Sequence, residues 1–350
     1  MLPIMKLMDR PAINMDEPKK QQTFGILGAG SWGSALGLLL ARNQHNVLIW
    51  DIDSKLLQDI ETERENRKYL PGISFPHNIH AIESAEKVIT ECDQLLLVIP
   101  SSAFRETLEK HKETISTKRN ICWATKGLDS SSGGLLHQTV AEILGDTITP
   151  AIISGPNFAK EVAKGFPTAV TVASPNKQFA QQLSESLHSN VFRPYTSQDI
   201  IGVEIGGSIK NVLAVAAGIS DGLGYGANAR AGLITRGLSE MTRLGVALGG
   251  NTETFMGLSG IGDLVLTCTD NQSRNRRFGI GLGEGKSVDI IQKEIGQAIE
   301  GLRTAKEVHT LSQKHNIELP ICEQVYQVIY EGKSAEEAVN TLLNRPPKAE

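Results

Sequence analysis

Cysteine is scarce in this chain, with four residues among 350: Cys92, Cys122, Cys268 and Cys322. They lie far apart and form no C-x-x-C pair, which excludes a disulfide-stapled scaffold and a zinc cluster and leaves reduced thiols as the expectation. Aromatic residues reach only 5%. Charge of one sign is lacking too: 35 basic against 39 acidic residues leave a net charge of -4, which argues against a protein that coats nucleic acid. No uninterrupted apolar run approaches the roughly 18 residues of a membrane span, so a soluble protein is expected. The first twenty residues lack the apolar core of a secretory signal, because Lys6, Asp9, Arg10, Asp16 and Glu17 fall among three prolines. Residues 1–20 therefore read as a disordered extension, residues 346–350 as a tail, and the location as cytoplasmic.

Glycine is plentiful, at 34 residues, and with so few aromatics this predicts many tight turns and helices packed through small residues. At Thr23 to Leu27 a short apolar run ends in Gly28, and apolar side chains then recur at helical spacing from Ser34 to Ala41. Between them lies Gly28-Ala29-Gly30-Ser31-Trp32-Gly33, a G-x-G-x-x-G. The first glycine permits the turn, the second lets the backbone approach a pyrophosphate, and the third lets helix and strand pack closely. The free N–H groups at the helix start complete a phosphate site. A second apolar strand, Asn46 to Trp50, ends in Asp51, roughly 20 positions after Gly28, where a dinucleotide site places the acid that receives the ribose hydroxyls.

Three further runs read as buried strands, Gln94 to Ile99, Asn120 to Thr125 and Ala151 to Ser154, with Ala169 to Ala173 after them. Strands of this kind alternating with helices predict a parallel, doubly wound sheet over residues 21–197, whose ligands bind beyond the carboxyl ends of the strands. Pro100, Ser101, Lys126, Gly155, Pro156 and Asn157 stand just past those ends.

From residue 198 to 345 the pattern is all helical. Gly232, Gly237 and Gly245 inside these helices predict close helix contacts. Four stretches look too polar for helix cores: Glu204 to Leu213, with Lys210 and Asn211; the glycine-rich Ser220 to Arg230; Gly260 to Thr269, with Asp263 and Thr267; and Ser273 to Arg277. A buried lysine requires a partner or a lowered pKa, and Asp263 is the natural partner for Lys210. Taken singly, Lys126 and Lys210 would each pass for solvated side chains, and Arg274 to Arg277 for an exposed charge run.

Together, GILGAGSWGSALGLLLARN, WATKGL (Trp123–Leu128), SGPNFAKEVAKGFPTA (Ser154–Ala169), GGSIKNVLAVAAGISDGLGYGANARAGLITRGLSEM (Gly206–Met241) and GLSGIGDLVLTCTDNQSRNRRFG (Gly257–Gly279) closely resemble the bacterial NAD(P)-dependent sn-glycerol-3-phosphate dehydrogenases. The resemblance implies a Rossmann-type domain followed by an all-α domain, reversible reduction of dihydroxyacetone phosphate to sn-glycerol 3-phosphate for phospholipid synthesis, no metal, and a homodimer. It implies that Lys210 donates the proton, with Asp263 and Thr267 around it and Lys126 as a second lysine. It implies substrate contacts from Lys126, Gly155, Asn157, Lys210, Asn211, Asp263, Ser273, Arg274 and Asn275. It also implies cofactor contacts from Ser31, Trp32, Lys126, Ala159, Arg274, Ala298 and Glu300, beside the glycines Gly28, Gly30 and Gly33 and the acid Asp51 already read from the motif.

None of the eight histidines lies in a matching motif, which counts against a lactate- or malate-type mechanism. The family often carries a base at the end of the second strand, where this chain has Trp50-Asp51-Ile52-Asp53. A carboxylate there accepts hydrogen bonds from the 2'-hydroxyl of NAD and repels a 2'-phosphate, so NAD is favoured over NADP, with Arg42 or another base able to offset this. The same two-domain plan fits hydroxyisobutyrate and ketopantoate reductases, from which the Arg274-Asn275 pair and the GDLVLTCT context separate it. A dinucleotide-sensing regulator would need a nucleic-acid-binding arm that the chain does not show.

Overall fold

The computed structural model describes residues 20–346, so nearly all of the extension and tail read from sequence lies outside the described residues. The first half of the chain runs β1 (Thr23–Leu27), α1 (Ser31–Arg42), β2 (Asn46–Trp50), α2 (Ser54–Glu63), β3 (Ile79–Ala81), α3 (Ala85–Glu91) and β4 (Gln94–Leu97). It continues through α4 (Ser101–Lys110), α5 (Lys112–Ile115), β5 (Asn120–Trp123), α6 (Leu136–Leu144), β6 (Thr149–Ser154), α7 (Ala159–Lys164), β7 (Thr168–Ala173), α8 (Lys177–Leu187) and β8 (Phe192–Ser197). The eight strands form one sheet in the order β3-β2-β1-β4-β5-β6-β7-β8. Strand order reverses at β1, which pairs with β2 on one side and β4 on the other, and this opens the binding crevice above their carboxyl ends.

One departure from the expected parallel sheet lies at β7, which runs antiparallel to β6, with Ile153 opposite Val172. The connecting helix α7 has six residues and rises only about 9 Å, about half the length of a six-residue strand. Strands β3 and β8 left little trace in the sequence. β3 has three residues, and β8 is an outer strand that contains Pro194 and alternates between covered and solvated side chains.

The second half is helical: α9 (Ile200–Gly222), α10 (Ala227–Ala247), α11 (Thr252–Phe255), a π-helical turn (Leu258–Gly262), α12 (Asp263–Thr269), α13 (Arg274–Gly283), α14 (Val288–Ile295), α15 (Glu300–His315), α16 (Pro320–Tyr330) and α17 (Ala335–Leu343). Helix α9 corrects the expectation about apolar length, since by length and composition it could cross a membrane, yet it is the buried core helix around which the others pack. A helix that is apolar on all sides is stable in water only when other helices cover it. The polar stretches also prove more helical than expected: Ser220–Gly222 ends α9, Ala227–Arg230 begins α10, Asp263–Thr269 is α12 and Arg274–Arg277 opens α13.

Glycines set the closest helix contact. A Cβ on Gly218 or Gly222 would lie 2.1 or 2.3 Å from carbonyl oxygens of α13, and one on Gly279 or Gly283 would lie 2.1 or 2.5 Å from carbonyls of α9. The two helices therefore meet backbone to backbone. Gly237 and Gly245 do face neighbours, Leu213 and Phe255, but Gly232 faces open space, so its expected packing role is withdrawn.

Candidate active site

The glycine motif joins β1 to α1 at the reversal of strand order. Gly28 has φ +112°, and a Cβ there would come within 2.3 Å of the Val98 carbonyl oxygen; one on Gly33 would meet the Gly28 oxygen at 1.9 Å. Gly30, by contrast, faces open space, which leaves the backbone bare where a pyrophosphate would approach. Helix α1 has no side-chain cap and no acid in its first turn, so its leading N–H groups remain available to an anion. These features fit a dinucleotide.

Asp51 anchors this loop: its Oδ2 accepts the Ala29 N–H at 2.7 Å and its Oδ1 the Asp53 N–H at 3.1 Å. From the other side, buried Asn66 donates to the Ala29 carbonyl at 2.7 Å and to Ser34 Oγ at 2.8 Å, while Ser31 Oγ donates to the Tyr69 carbonyl at 2.9 Å. Sequence reading missed Asn66 and Tyr69, because they lie in an irregular segment with no spacing signal. Trp32, one turn into the motif, has an indole N–H that is buried without a partner. Arg42 cannot serve the role reserved for it. It closes the opposite end of α1 and donates to the Ala163 carbonyl at 2.6 Å.

Lys126, Lys210 and Asp263 meet where the two domains face each other. Lys126 follows β5 and donates to the Gly155 carbonyl at 3.1 Å, to Asn157 Oδ1 at 3.0 Å and to Asp263 Oδ2 at 2.8 Å. Lys210, in the middle of α9, donates to Asp263 Oδ1 at 2.5 Å and to Thr267 Oγ1 at 3.0 Å. An ammonium has three hydrogens to donate. Lys126 has spent all of them on the protein, whereas Lys210 keeps one. Burial pushes the Lys126 ammonium down to about 7, helped by the neighbouring Lys210 and opposed by Asp263; the two lysines in turn hold the buried Asp263 carboxyl low against its own desolvation. Asp263 is the partner expected for Lys210, so the reading of that lysine as a snorkelling side chain is set aside. Asn157 Nδ2 and Ser154 Oγ beside the cluster are buried without partners, leaving polar atoms for a ligand.

Two more clusters border this centre. Asn275 donates to Asn211 Oδ1 at 2.8 Å and accepts from the Gly301 N–H at 2.9 Å, so it ties α13 to both α9 and α15. Ser273 is the N-cap of α13 and accepts from the Arg276 N–H at 3.2 Å. Arg274 donates to Gln297 Oε1 at 3.3 Å, and burial lowers its pKa, with Glu300 opposing. Glu300, the first residue of α15, accepts from Ser101 Oγ at 3.2 Å across the domain boundary, and burial raises its carboxyl. Gly127 fits between them only without a side chain: it has φ +152°, and a Cβ would stand 2.6 Å from Ser101 Oγ. Ala159 heads α7 and packs against the apolar core around β1 and α1, and Ala298 is exposed two residues before α15. Gly155, with φ +135°, turns the chain between β6 and Asn157.

Residues 23–180 match the model of the NAD-dependent glycerol-3-phosphate dehydrogenase N-terminus, and residues 199–340 that of its C-terminus. The chain is 52% identical over 326 residues to a glycerol-3-phosphate dehydrogenase [NAD(P)+] of Colwellia psychrerythraea, covering 93% of this chain and 98% of that one. It is 48% identical to one of Vibrio cholerae over 343 residues, covering 96% of this chain and all of the relative. The crystal structure of a glycerol-3-phosphate dehydrogenase from Coxiella burnetii superposes with a TM-score of 0.90 at 50% identity, covering 93% of this chain and 99% of that one. The chain belongs to the bacterial NAD(P)-dependent glycerol-3-phosphate dehydrogenase family, oxidoreductases that act on a CH–OH group.

Proposed function

We propose that this chain reduces dihydroxyacetone phosphate to sn-glycerol 3-phosphate, reversibly, in the crevice between its two domains. The observation that carries the reading is the buried Lys126–Asp263–Lys210 cluster beyond the carboxyl ends of β5 and β6. The nicotinamide dinucleotide, when bound, supplies the hydride for reduction and accepts it for oxidation. Gly28, Gly30, Ser31, Trp32 and Gly33 hold its phosphates, Asp51 its adenine-side ribose, and Ala159, Ala298 and Glu300 complete its contacts.

Lys210, with its one free N–H, donates the proton to the carbonyl oxygen as it becomes an alkoxide. Asp263 and Thr267 aim that ammonium, and Lys126 supplies a second cation that favours proton release. Arg274 binds the substrate phosphate with the N-terminus of α13, where the guanidinium fork and the helix N–H groups both favour an anion. Ser273, Asn275, Asn211, Asn157 and Gly155 shape the remaining wall. Asp51 tilts the coenzyme choice towards NAD. The product serves phospholipid synthesis in the cytoplasm, a location supported by four free, buried cysteines. The protein acts as a homodimer, a reading supported by α10, whose Leu233, Ile234 and Leu238 are only partly covered.

The test is oxidation of NADH and, separately, NADPH by the purified protein with dihydroxyacetone phosphate, with dihydroxyacetone as control. Rapid turnover that requires the phosphate is expected. Folded protein that binds NADH yet turns over neither coenzyme would overturn the reading in favour of a carboxylate-substrate reductase.

A further inference from the structure

The end of β2 lacks the base that a 2'-phosphate calls for: Ile52 stands there, 89% exposed, and Arg42 is at the wrong end of α1. A different base reaches the place from across the crevice mouth. Lys68 puts its Nζ 2.7 Å from Asp53 Oδ2, while Asp53 Oδ1 caps α2 by accepting the Leu56 N–H at 3.1 Å. Asp53 is in turn tied through its own N–H to Asp51, the ribose acid. On the other flank Lys68 stands between Asn66 and Tyr69, both bonded to the glycine motif. The other bases of this segment are engaged elsewhere, Arg64 on the Pro76 and Ile79 carbonyls and Arg67 on Glu63.

We propose that Lys68 is the residue that receives the 2'-phosphate of NADP in this chain, and that Asp53 governs how readily it does so. The proposal rests on the dehydrogenase reading and deepens it. The side chains of the Lys68–Asp53 pair are 54% and 34% exposed, and ion pairs so open to water are weakly held. A phosphate dianion therefore competes with one carboxylate and with the face of the Tyr69 ring, whose centroid is 5.1 Å from the ammonium. When it does, Asp53 and Asp51 are left facing the added charge, which is why NAD remains favoured while NADP is admitted.

The experiment is titration of the purified protein with NADH and with NADPH in the absence of substrate, followed by calorimetry. Lys68→Met should weaken NADPH binding about tenfold, the value of one charge-assisted hydrogen bond, with NADH changed less than about twofold. Asp53→Asn should tighten NADPH by about the same factor, and it keeps the helix cap, since Asn caps as well as Asp. The double variant should lose that gain. Equal weakening of both coenzymes by Lys68→Met, no weakening of either, or a gain that survives in the double variant would overturn the proposal. Failure of the unaltered protein to bind either coenzyme would instead count against the dehydrogenase reading.

Discussion

Lys126 and Lys210 hold opposite oxygens of one carboxylate: Lys126 Nζ lies 2.8 Å from Asp263 Oδ2 and Lys210 Nζ 2.5 Å from Asp263 Oδ1. The first lysine follows a strand of the Rossmann-type domain and the second lies in the core helix of the other domain, so the carboxylate joins the two halves of the chain. Two buried ammoniums sharing one anion leave an excess positive charge, which favours release of a proton. Replacing Lys210 with Ala should lower kcat by about 10²- to 10⁴-fold, the usual contribution of a positioned proton donor, while calorimetric NADH affinity stays within about twofold. Wild-type turnover in that variant would exclude the assignment.

The pH dependence should differ in sign for the two directions. Lys126, whose ammonium burial pushes down to about 7, loses its charge near neutrality. Reduction draws on the positive charge that Lys126 adds to the site, so its kcat/KM should fall as pH rises through about 7; oxidation releases a proton to the site and should rise over the same interval. Initial rates measured in both directions from pH 5.5 to 9, roughly the range that brackets such a group, would check this. Parallel profiles would be inconsistent with proton transfer by the cluster.

Arg274 should act on binding and Lys210 on chemistry. Arg274→Ala removes a guanidinium whose protein partner is an amide, Gln297, and should raise KM for dihydroxyacetone phosphate about 10- to 100-fold with a smaller effect on kcat. Steady-state kinetics with phosphorylated and unphosphorylated ketone separate these outcomes. A KM equal to that of the unaltered protein would remove Arg274 from the phosphate site.

The backbone contact between α9 and α13 leaves no room for a methyl group. Gly279→Ala should destabilise the protein by about 1–3 kcal/mol, because its Cβ would stand 2.1 Å from the Val215 carbonyl oxygen and must push the helices apart. It should also raise KM for the phosphorylated substrate, since α13 carries Arg274. Chemical denaturation and kinetics on the same sample test both parts.

Glu240 should make stability depend on pH. It is buried in α10 and accepts the Ile321 and Cys322 N–H groups at 2.6 and 3.1 Å, at the start of α16, while burial pushes its carboxyl up to about 7. Between the ordinary glutamate value and about 7 the folded protein binds more protons than the unfolded chain, so this group's contribution is full in acid and is lost as pH rises through that window. Glu240→Gln should flatten that part of the stability curve, and Glu240→Ala should cost about 1–3 kcal/mol by leaving the N–H groups unpaired. Denaturant midpoints from pH 5 to 8, roughly spanning the window, would show either effect.

What the sequence determined by itself is local or periodic. The glycine motif, the strand that precedes it, the helix that follows and Asp51 are consecutive or regularly spaced, so β1, α1 and β2 are legible with their residues. The long helices announced themselves in the same way, and the family motifs named Lys126, Lys210 and Asp263. What only the tertiary structure decided depends on residues far apart in the chain. β7 pairs antiparallel with β6, a direction that no local spacing marks. Arg42 is held at the far end of α1, away from Asp51, and an irregular segment brings Lys68 to Asp53. Lys210 rather than Lys126 keeps a hydrogen because folding sets three acceptors around one ammonium and two around the other. Side-chain type marks which residues can do chemistry; the count of partners that folding places around each one decides which of them is left free to do it.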